Sequence, residues 1–262
     1  MARAARVGRR IRGTAITRFD AHQRIQHTLM FCCFFVLAGT GLPLMYSNWA
    51  ISDWWMRRWG GIDVTRGVHH YTAWVMIGVC VYHLLYILIK RPFSTAMFPR
   101  IQDFKDFIQD MKHTFRLSKE PPRFDRFSYR NKGAYWLAFA GAIIIIATGL
   151  ILLYPIWSAR NLGSSAYPLA LLIHGDAAVL GLGWMVLVHM YFAHFSPLVF
   201  PADKSIFTGK VPATRYREEF PLEYARIMTS AGFSPMATEE ELLKGPAEEP
   251  QPEGGKPALG QE

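Results

Sequence analysis

Histidine is the residue type in this 262-residue chain best placed to do chemistry, because seven of its nine copies stand in or at the ends of segments almost devoid of charge. His22 and His113 lie among charged neighbours and read as solvated side chains. His69 and His83 are 14 positions apart, which on a helix returns them to within about 40° of one face, ~21 Å apart along the axis. His174 and His189 are 15 apart, within about 60° of one face and ~22 Å apart. If both helices run the same way across a membrane, they present imidazoles at two matching depths. A lone histidine in a membrane is usually an interhelical hydrogen bonder, since ionisable groups there are costly and rare. Four at paired depths suit two stacked haems, one near each leaflet. Bis-imidazole ligation closes both axial positions of the iron, which favours electron transfer over oxygen chemistry.

His27 competes with His83 for the deeper position opposite His189. Arg24 precedes His27 by three residues and Arg66 precedes His69 by three, so each guanidinium stands beside its histidine on one helix face. There it could pair with a haem propionate or simply snorkel to the headgroups. A weak repeat bears on the choice: Thr40-Gly41-Leu42-Pro43-Leu44-Met45-Tyr46 and Thr148-Gly149-Leu150-Ile151-Leu152-Leu153-Tyr154 match at Thr, Gly, two Leu and Tyr. The shift that carries Thr40 to Thr148 carries His27 to Tyr135, so symmetry favours His83, and geometry leaves the deeper ligand open. Gly41, on the face of His27, and Gly149, Gly175, Gly181 and Gly183 thin the helices where a flat group would approach backbone; such residues also serve plain helix packing.

The elements that must hold these residues are membrane helices. Thr28–Tyr46, His69–Ile89 and Gly133–Ala159 contain no Asp, Glu, Lys or Arg, and Asn161–Ala202 contains only Asp176. Each is long enough to cross ~30 Å of hydrocarbon as a helix, so a soluble fold is excluded. The expected fold is all-α, a four-helix bundle with spans near 27–46, 69–90, 133–157 and 167–196, built as two parallel two-helix hairpins. A basic segment 1–26 precedes the membrane domain 27–200, a segment 201–236 follows it, and 237–262, rich in Glu, Pro and Gly, reads as a disordered tail. Lys and Arg number 7, 11 and 7 in the N-terminal segment, the central connection and the C-terminal segment, against 3 and 1 in the other two loops. The positive-inside rule places both termini in the cytoplasm of a bacterial inner membrane, and the net charge of +9 reports topology, not a nucleic-acid partner. In the central connection Ile101, Phe104, Phe107, Ile108, Met111 and Phe115 recur at helical spacing among charges, which predicts a cytoplasmic amphipathic helix on the membrane surface. Trp49, Trp54, Trp55 and Trp59 suit the opposite headgroup layer. The Arg-rich start leads into a full-length span, so no cleavable signal is expected. Cys32, Cys33 and Cys80 form no Cys-x-x-Cys, leaving iron–sulfur ligation and covalent haem unsupported.

Five ordered strings carry a resemblance: RIQHTLMFCCFFVLAGTGLPL from Arg24, HHYTAWVMIGVCVYHLLYI from His69, PRFDRFSYRNKGAYW from Pro122, LLIHGDAAVLGLGWMVLVHMYFAHF from Leu171 and PADKSIFTGKV from Pro201. Over roughly Arg18 to Tyr224 the chain resembles the di-haem membrane cytochrome b subunits of formate dehydrogenase gamma and nickel–iron hydrogenase type. The resemblance implies haem b held by His69 and His174 near the outer face and by His27 and His189 near the inner face. It also implies a quinone near the inner haem, beside Ser128, Asn131 and Lys132. His83 departs from the formate dehydrogenase pattern and stands as an alternative inner ligand, a third-haem ligand or a quinone-site residue; His70, next to His69, is the lesser ligand. The implied function is a membrane-anchoring, electron-transferring subunit of a respiratory oxidoreductase. It would link an outer iron–sulfur or multi-haem cytochrome c partner to the quinone pool. The contrasting reading is a haem-free four-helix transporter or scaffold with a histidine proton relay or metal site, to which Asp176 would contribute.

Overall fold

The computed structural model describes residues 11–12, 14–90 and 97–244. Two short strands, β1 (Ile11–Arg12) and β2 (Ala15–Thr17), lead into helix α1 (Ala21–Met45). Asp20 starts α1 with a capping box: its carboxylate accepts from Gln23 N–H at 2.9 Å while its own N–H donates to Gln23 Oε1 at 3.0 Å, which satisfies two otherwise orphaned donors. Pro43, in the last turn, cannot donate to the Gly39 carbonyl. That carbonyl instead accepts the Trp55 indole N–H at 2.8 Å, which fastens the short helix α2 (Ala50–Arg58) across the end of α1. Helix α3 (Ile62–Lys90) returns along α1.

Helix α4 (Ile101–Thr114) is turned inside out relative to a soluble surface helix. Its Asp103 binds the buried Lys132 ammonium at 2.6 and 2.8 Å, and its buried Asp110 accepts from Tyr129 and Arg130, both at 2.6 Å. Its apolar side chains point outward, Ile101 81 % and Phe104 65 % exposed. Helix α5 (Tyr129–Leu153) starts from a second capping box, Ser128 with Asn131, and stops ahead of Pro155, short of the expected end at residue 157. Pro155 opens α6 (Pro155–Leu162) instead, the position a helix tolerates best. Helix α7 (Ala166–Trp184) continues through two π-helical segments, Met185–His189 and Tyr191–Phe195.

Ala21–Met45, Ile62–Ile89, Tyr129–Leu153 and Ala166–Phe195 are each long and apolar enough to cross a membrane, and at most 11 % of their most apolar windows is buried within the protein. Their apolar surface therefore faces outward, as lipid contact requires. α1 packs along α3 and α5 along α7, while α1 against α7 is the broadest contact between the two hairpins. At that crossing Gly175 lets the Met45 side chain lie against α7: a Cβ there would stand 2.8 Å from Met45 Cε and would make that side chain shift.

Past the fourth span, α8 (Ser205–Thr208), β3 (Lys210–Pro212), α9 (Ala213–Glu219) and α10 (Pro221–Ser230) build a cap that hydropathy patterning does not announce. β3 pairs antiparallel with β2, giving the order β1-β2-β3. Ile16, Phe124, Val211, Tyr216, Phe220, Tyr224, Ile227 and Met228 form its core. Arg18 ties the pieces together: it donates to the Arg126 carbonyl at 2.8 Å and Tyr216 Oη at 2.9 Å, meets Glu223 at 3.4 Å and lies 4.1 Å from the Phe220 ring centre. Of the stretch 237–262 expected as a disordered tail, residues 237–244 are described. Ala237 and Leu242 are buried in this core and α11 (Glu239–Lys244) follows, introduced by Thr238 and Glu241, whose side chains bond each other's backbone N–H. Residues 245–262 and, within the basic 1–26 segment, residues 1–10 and 13 lie outside the described residues.

Candidate functional site

Two pairs of imidazoles face each other across the gap between the hairpins. At the end of the bundle away from the cap, His69 of α3 and His174 of α7 have ring centroids 6.5 Å apart and ring planes at 71°. At the cap end, His27 of α1 and His189 of α7 are 6.3 Å apart with planes at 32°. An imidazole nitrogen sits about 2 Å from a metal it ligates, with the ring centre roughly 1 Å behind, so two rings sharing one iron put their centroids about 6 Å apart. Both pairs meet that spacing.

The Thr-Gly repeat explains how the first pair is held. Thr40 Oγ1 lies 2.7 Å from the Val36 carbonyl and 2.9 Å from His69 Nδ1; Thr148 Oγ1 lies 2.6 Å from the Ile144 carbonyl and 2.9 Å from His174 Nδ1. A hydroxyl has one hydrogen, and here the carbonyl one turn back takes it. The imidazole must therefore donate Nδ1–H to the hydroxyl, which leaves Nε2 with a lone pair for a metal. The adjacent glycines admit the rings: a Cβ at Gly41 would stand 3.0 Å from His69 Cε1, and one at Gly149 3.2 Å from His174 Cε1. Gly41, expected on the His27 face of its helix, makes room for the His69 ring. A Cβ at Gly181 or Gly183 would meet nothing within 4 Å.

The π segment matters for the second pair. Each residue of a π turn, closing i to i+5, rotates the chain less than one of an α turn. The rotation between His174 and His189 is smaller than a uniform α-helix gives, and both rings turn to the same gap. Trp184 packs on His189 with centroids 5.8 Å apart.

His83 faces elsewhere. Its Nδ1 lies 2.8 Å from Gln26 Oε1 and its Nε2 3.2 Å from Tyr135 Oη, so both ring nitrogens are engaged by other side chains. His70 makes an edge contact with His69 at 6.4 Å and faces no second imidazole among the described residues. Arg24 donates to the Phe207 carbonyl at 2.7 Å, and Arg66 pairs with Asp63 at 3.2 Å on the surface. Ser128 and Asn131 are occupied by their capping box, Asn131 Oδ1 accepting from Ser128 N at 3.1 Å and Oγ at 2.9 Å. Lys132 is committed to Asp103. Among the described residues no three or more His, Cys, Asp or Glu converge, so the donor sets on offer are imidazole pairs.

The two threonines are within reach of sequence reasoning, since the Thr-Gly repeat is visible there, but their bonds to His69 and His174 require the register between helices. Gln26 gives no signal in the sequence.

A family model described as prokaryotic cytochrome b561 matches residues 18–209. The chain is similar to the formate dehydrogenase cytochrome b556(fdo) subunits of Escherichia coli K12 and of the O6:H1 and O157:H7 strains. Each is 24 % identical over 182 residues, covering 70 % of this chain and 80 % of the relative.

Proposed function

Because the chain belongs to the prokaryotic cytochrome b561 family, whose members bind haem b, we propose that it holds two haems and passes electrons between a partner at one membrane face and the quinone pool. It is a multi-pass membrane cytochrome b of an oxidoreductase complex. The observation that carries the finer reading is the pair of imidazole couples at 6.5 and 6.3 Å, placed near opposite ends of the bundle.

In this reading His69 and His174 hold one haem b and His27 and His189 the other, while His83, turned to Gln26 and Tyr135, holds neither. Bound haem supplies reversible one-electron chemistry at iron. Thr40 and Thr148 keep the Nδ1 protons in place so that Nε2 points into the gap. The residues offered for propionates have other partners, Phe207 and Asp63, so we assign Arg24 to anchoring the cap and Arg66 to the surface. The cap end, with the larger share of Lys and Arg, is the cytoplasmic side, and the outward apolar face of α4 lies in that leaflet's interface. The quinone sits near the foot of α5, where the Asn131 amide N–H groups can donate to a carbonyl while Oδ1 keeps its capping role. The outer partner is an iron–sulfur or multi-haem cytochrome c subunit.

The test is a reduced-minus-oxidised spectrum of membranes holding the full chain. Low-spin b-type bands in the unsubstituted protein, with one of two haems lost in His69→Ala and in His174→Ala, are expected. A full haem complement in both variants overturns the pairing.

A further inference from the structure

The pair formed by His83 and Tyr135 occupies the symmetry-related place of the pair formed by His189 and His27. The repeat relates α1 to α5 and α3 to α7, and the shift that takes Thr40 to Thr148 takes His27 to Tyr135. The His83 and Tyr135 rings are 5.9 Å apart, against 6.3 Å for His27 and His189. The ring spacing is similar in the two halves, with planes at 55° and 32°, and a phenol stands where the other half has an imidazole. A proton-bearing oxygen here meets the histidine nitrogen directly.

The hydrogen bonds around His83 have a forced direction. Gln26 Oε1 can only accept, so His83 Nδ1–H donates to it at 2.8 Å. The neutral ring then leaves Nε2 unprotonated, and Tyr135 Oη–H donates to it at 3.2 Å. The chain of bonds therefore runs Tyr135 to His83 to Gln26, and it has two open ends. Tyr135 Oη keeps lone pairs to accept from a further proton donor. Gln26, 6 % exposed, has its Nε2 buried with no hydrogen-bond partner, a donor whose burial is costly until an acceptor reaches it. Both ends have hydrogen-bonding capacity left over.

Tyr135 stands one turn above Asn131 on α5, about 6 Å along the axis and on the same face. The partners of His83 are Gln26 from α1 and Tyr135 from α5, and Tyr82 and Tyr86 flank it in sequence on α3. Tyr82 bonds His22 at 2.6 Å and Tyr86 bonds Asp20 at 2.6 Å. These polar groups lie between α1 and α3 at the cap end, where His22 is exposed, and Tyr86 stands one turn from His83 on α3.

We propose that His83 is the proton acceptor for a hydroquinone bound beside Asn131 and Tyr135, an inference that rests on the quinone reading above. In each one-electron step the hydroquinone O–H bond breaks and its proton goes to Tyr135 Oη. Tyr135 passes its own proton to His83 Nε2, and the electron would go to the haem that His27 and His189 would hold. The imidazolium so formed is held between two acceptors, Gln26 Oε1 and Tyr135 Oη, and it discharges to water by way of the His22 and Asp20 groups before the second step. Quinone reduction is the reverse.

The experiment follows menadiol-driven reduction of the haems by stopped flow in membranes carrying the full chain, between pH 5.5 and 8.5. Glutamine at position 83 can keep both hydrogen bonds but cannot take up the proton. We expect the unsubstituted rate to rise with pH through one protonation, and His83→Gln to be at least about ten-fold slower and flat with pH, about 1.4 kcal/mol in barrier. Both haem spectra and reduction by dithionite should be unchanged. Tyr135→Phe, which removes the transferring hydroxyl, should slow the same step and decides the matter if the glutamine variant fails to accumulate. An unchanged rate and pH profile in these variants overturns the inference, and so does loss of a haem in His83→Gln, which would make His83 a ligand. If menadiol fails to reduce the haems of the unsubstituted protein, the quinone reading itself falls and takes this inference with it.

Discussion

Replacing Thr40 with valine removes one hydroxyl and almost no volume. Thr40 is 5 % exposed, and its Oγ1 accepts the His69 Nδ1–H at 2.9 Å. The valine variant leaves that N–H buried without an acceptor, a cost of about 1–3 kcal/mol. The loss of a partner behind a metal-bound histidine typically weakens metal affinity by about 10–100-fold, or roughly 1.4–2.7 kcal/mol, so two independent routes give one magnitude. The hydrogen bond also makes the imidazole a stronger donor to iron and so favours the oxidised state; without it the midpoint of that haem should move positive. A tenfold change in preference is about 59 mV for one electron, so a shift of tens of millivolts is expected. Thr148→Val should do the same, because its bond to His174 has the same length. The assay is a spectroelectrochemical titration with haem quantification, and Thr40→Ser, which restores the acceptor, should return both values. Wild-type occupancy and midpoint in Thr40→Val and Thr148→Val would refute the claim that these hydroxyls fix the imidazole tautomer.

Three further outcomes are expected. His27→Ala should lose the haem at the cap end while His83→Ala keeps both, measured as haem per protein; the opposite pattern would hand the iron to His83. Asn131→Asp keeps an oxygen for the Ser128 cap but lacks the amide donor, so quinol turnover should fall with little change in thermal stability, whereas Asn131→Leu should lose both, with about 0.5–2 kcal/mol from the cap. Burial alone would raise the Asp203 carboxyl, but Arg215 at 2.6 Å and the Ser205 backbone at 2.8 Å outweigh it and hold it below the usual carboxylate range. A depressed folded value contributes stability that is present above the unfolded value near about 4 and is lost as pH falls through the folded one. The Tm gap between wild type and Asp203→Asn in detergent should therefore be present at pH 7 and close on acidification through that window.

The paired histidines are legible in the sequence because hydrocarbon excludes charge so strongly that any imidazole there asks for a reason. Long-range register is not legible. Thr40 and His69 stand on different helices, and only their packing shows that the Thr-Gly repeat belongs to the histidines of the neighbouring helices. Spacing alone leaves His27 and His83 in competition because it does not say which neighbouring helix turns an imidazole towards His189. Ser128, Asn131 and Lys132 look in the sequence like polar groups free to meet a quinone, but local chemistry claims them first, through a helix cap and the Asp103 ion pair. The cap escapes a reading built on long uncharged blocks because its elements are short and charged, although Phe220, Tyr224, Ile227 and Met228 carry a helical period.

Each facing pair takes one histidine from the first hairpin and one from the second: His69 with His174, and His27 with His189. Synthesis delivers α1 and α3 to the bilayer while α7 is still unmade, so for most of translation neither couple exists. The last span supplies the missing member of both. Cofactor loading must then wait for its insertion, and a chain ending at Gly183 would retain one complete couple, His69 with His174, and carry His27 without a mate. Ribosome-bound intermediates of increasing length should accordingly gain the distal couple before the proximal one, an order of assembly written into the threading of the chain.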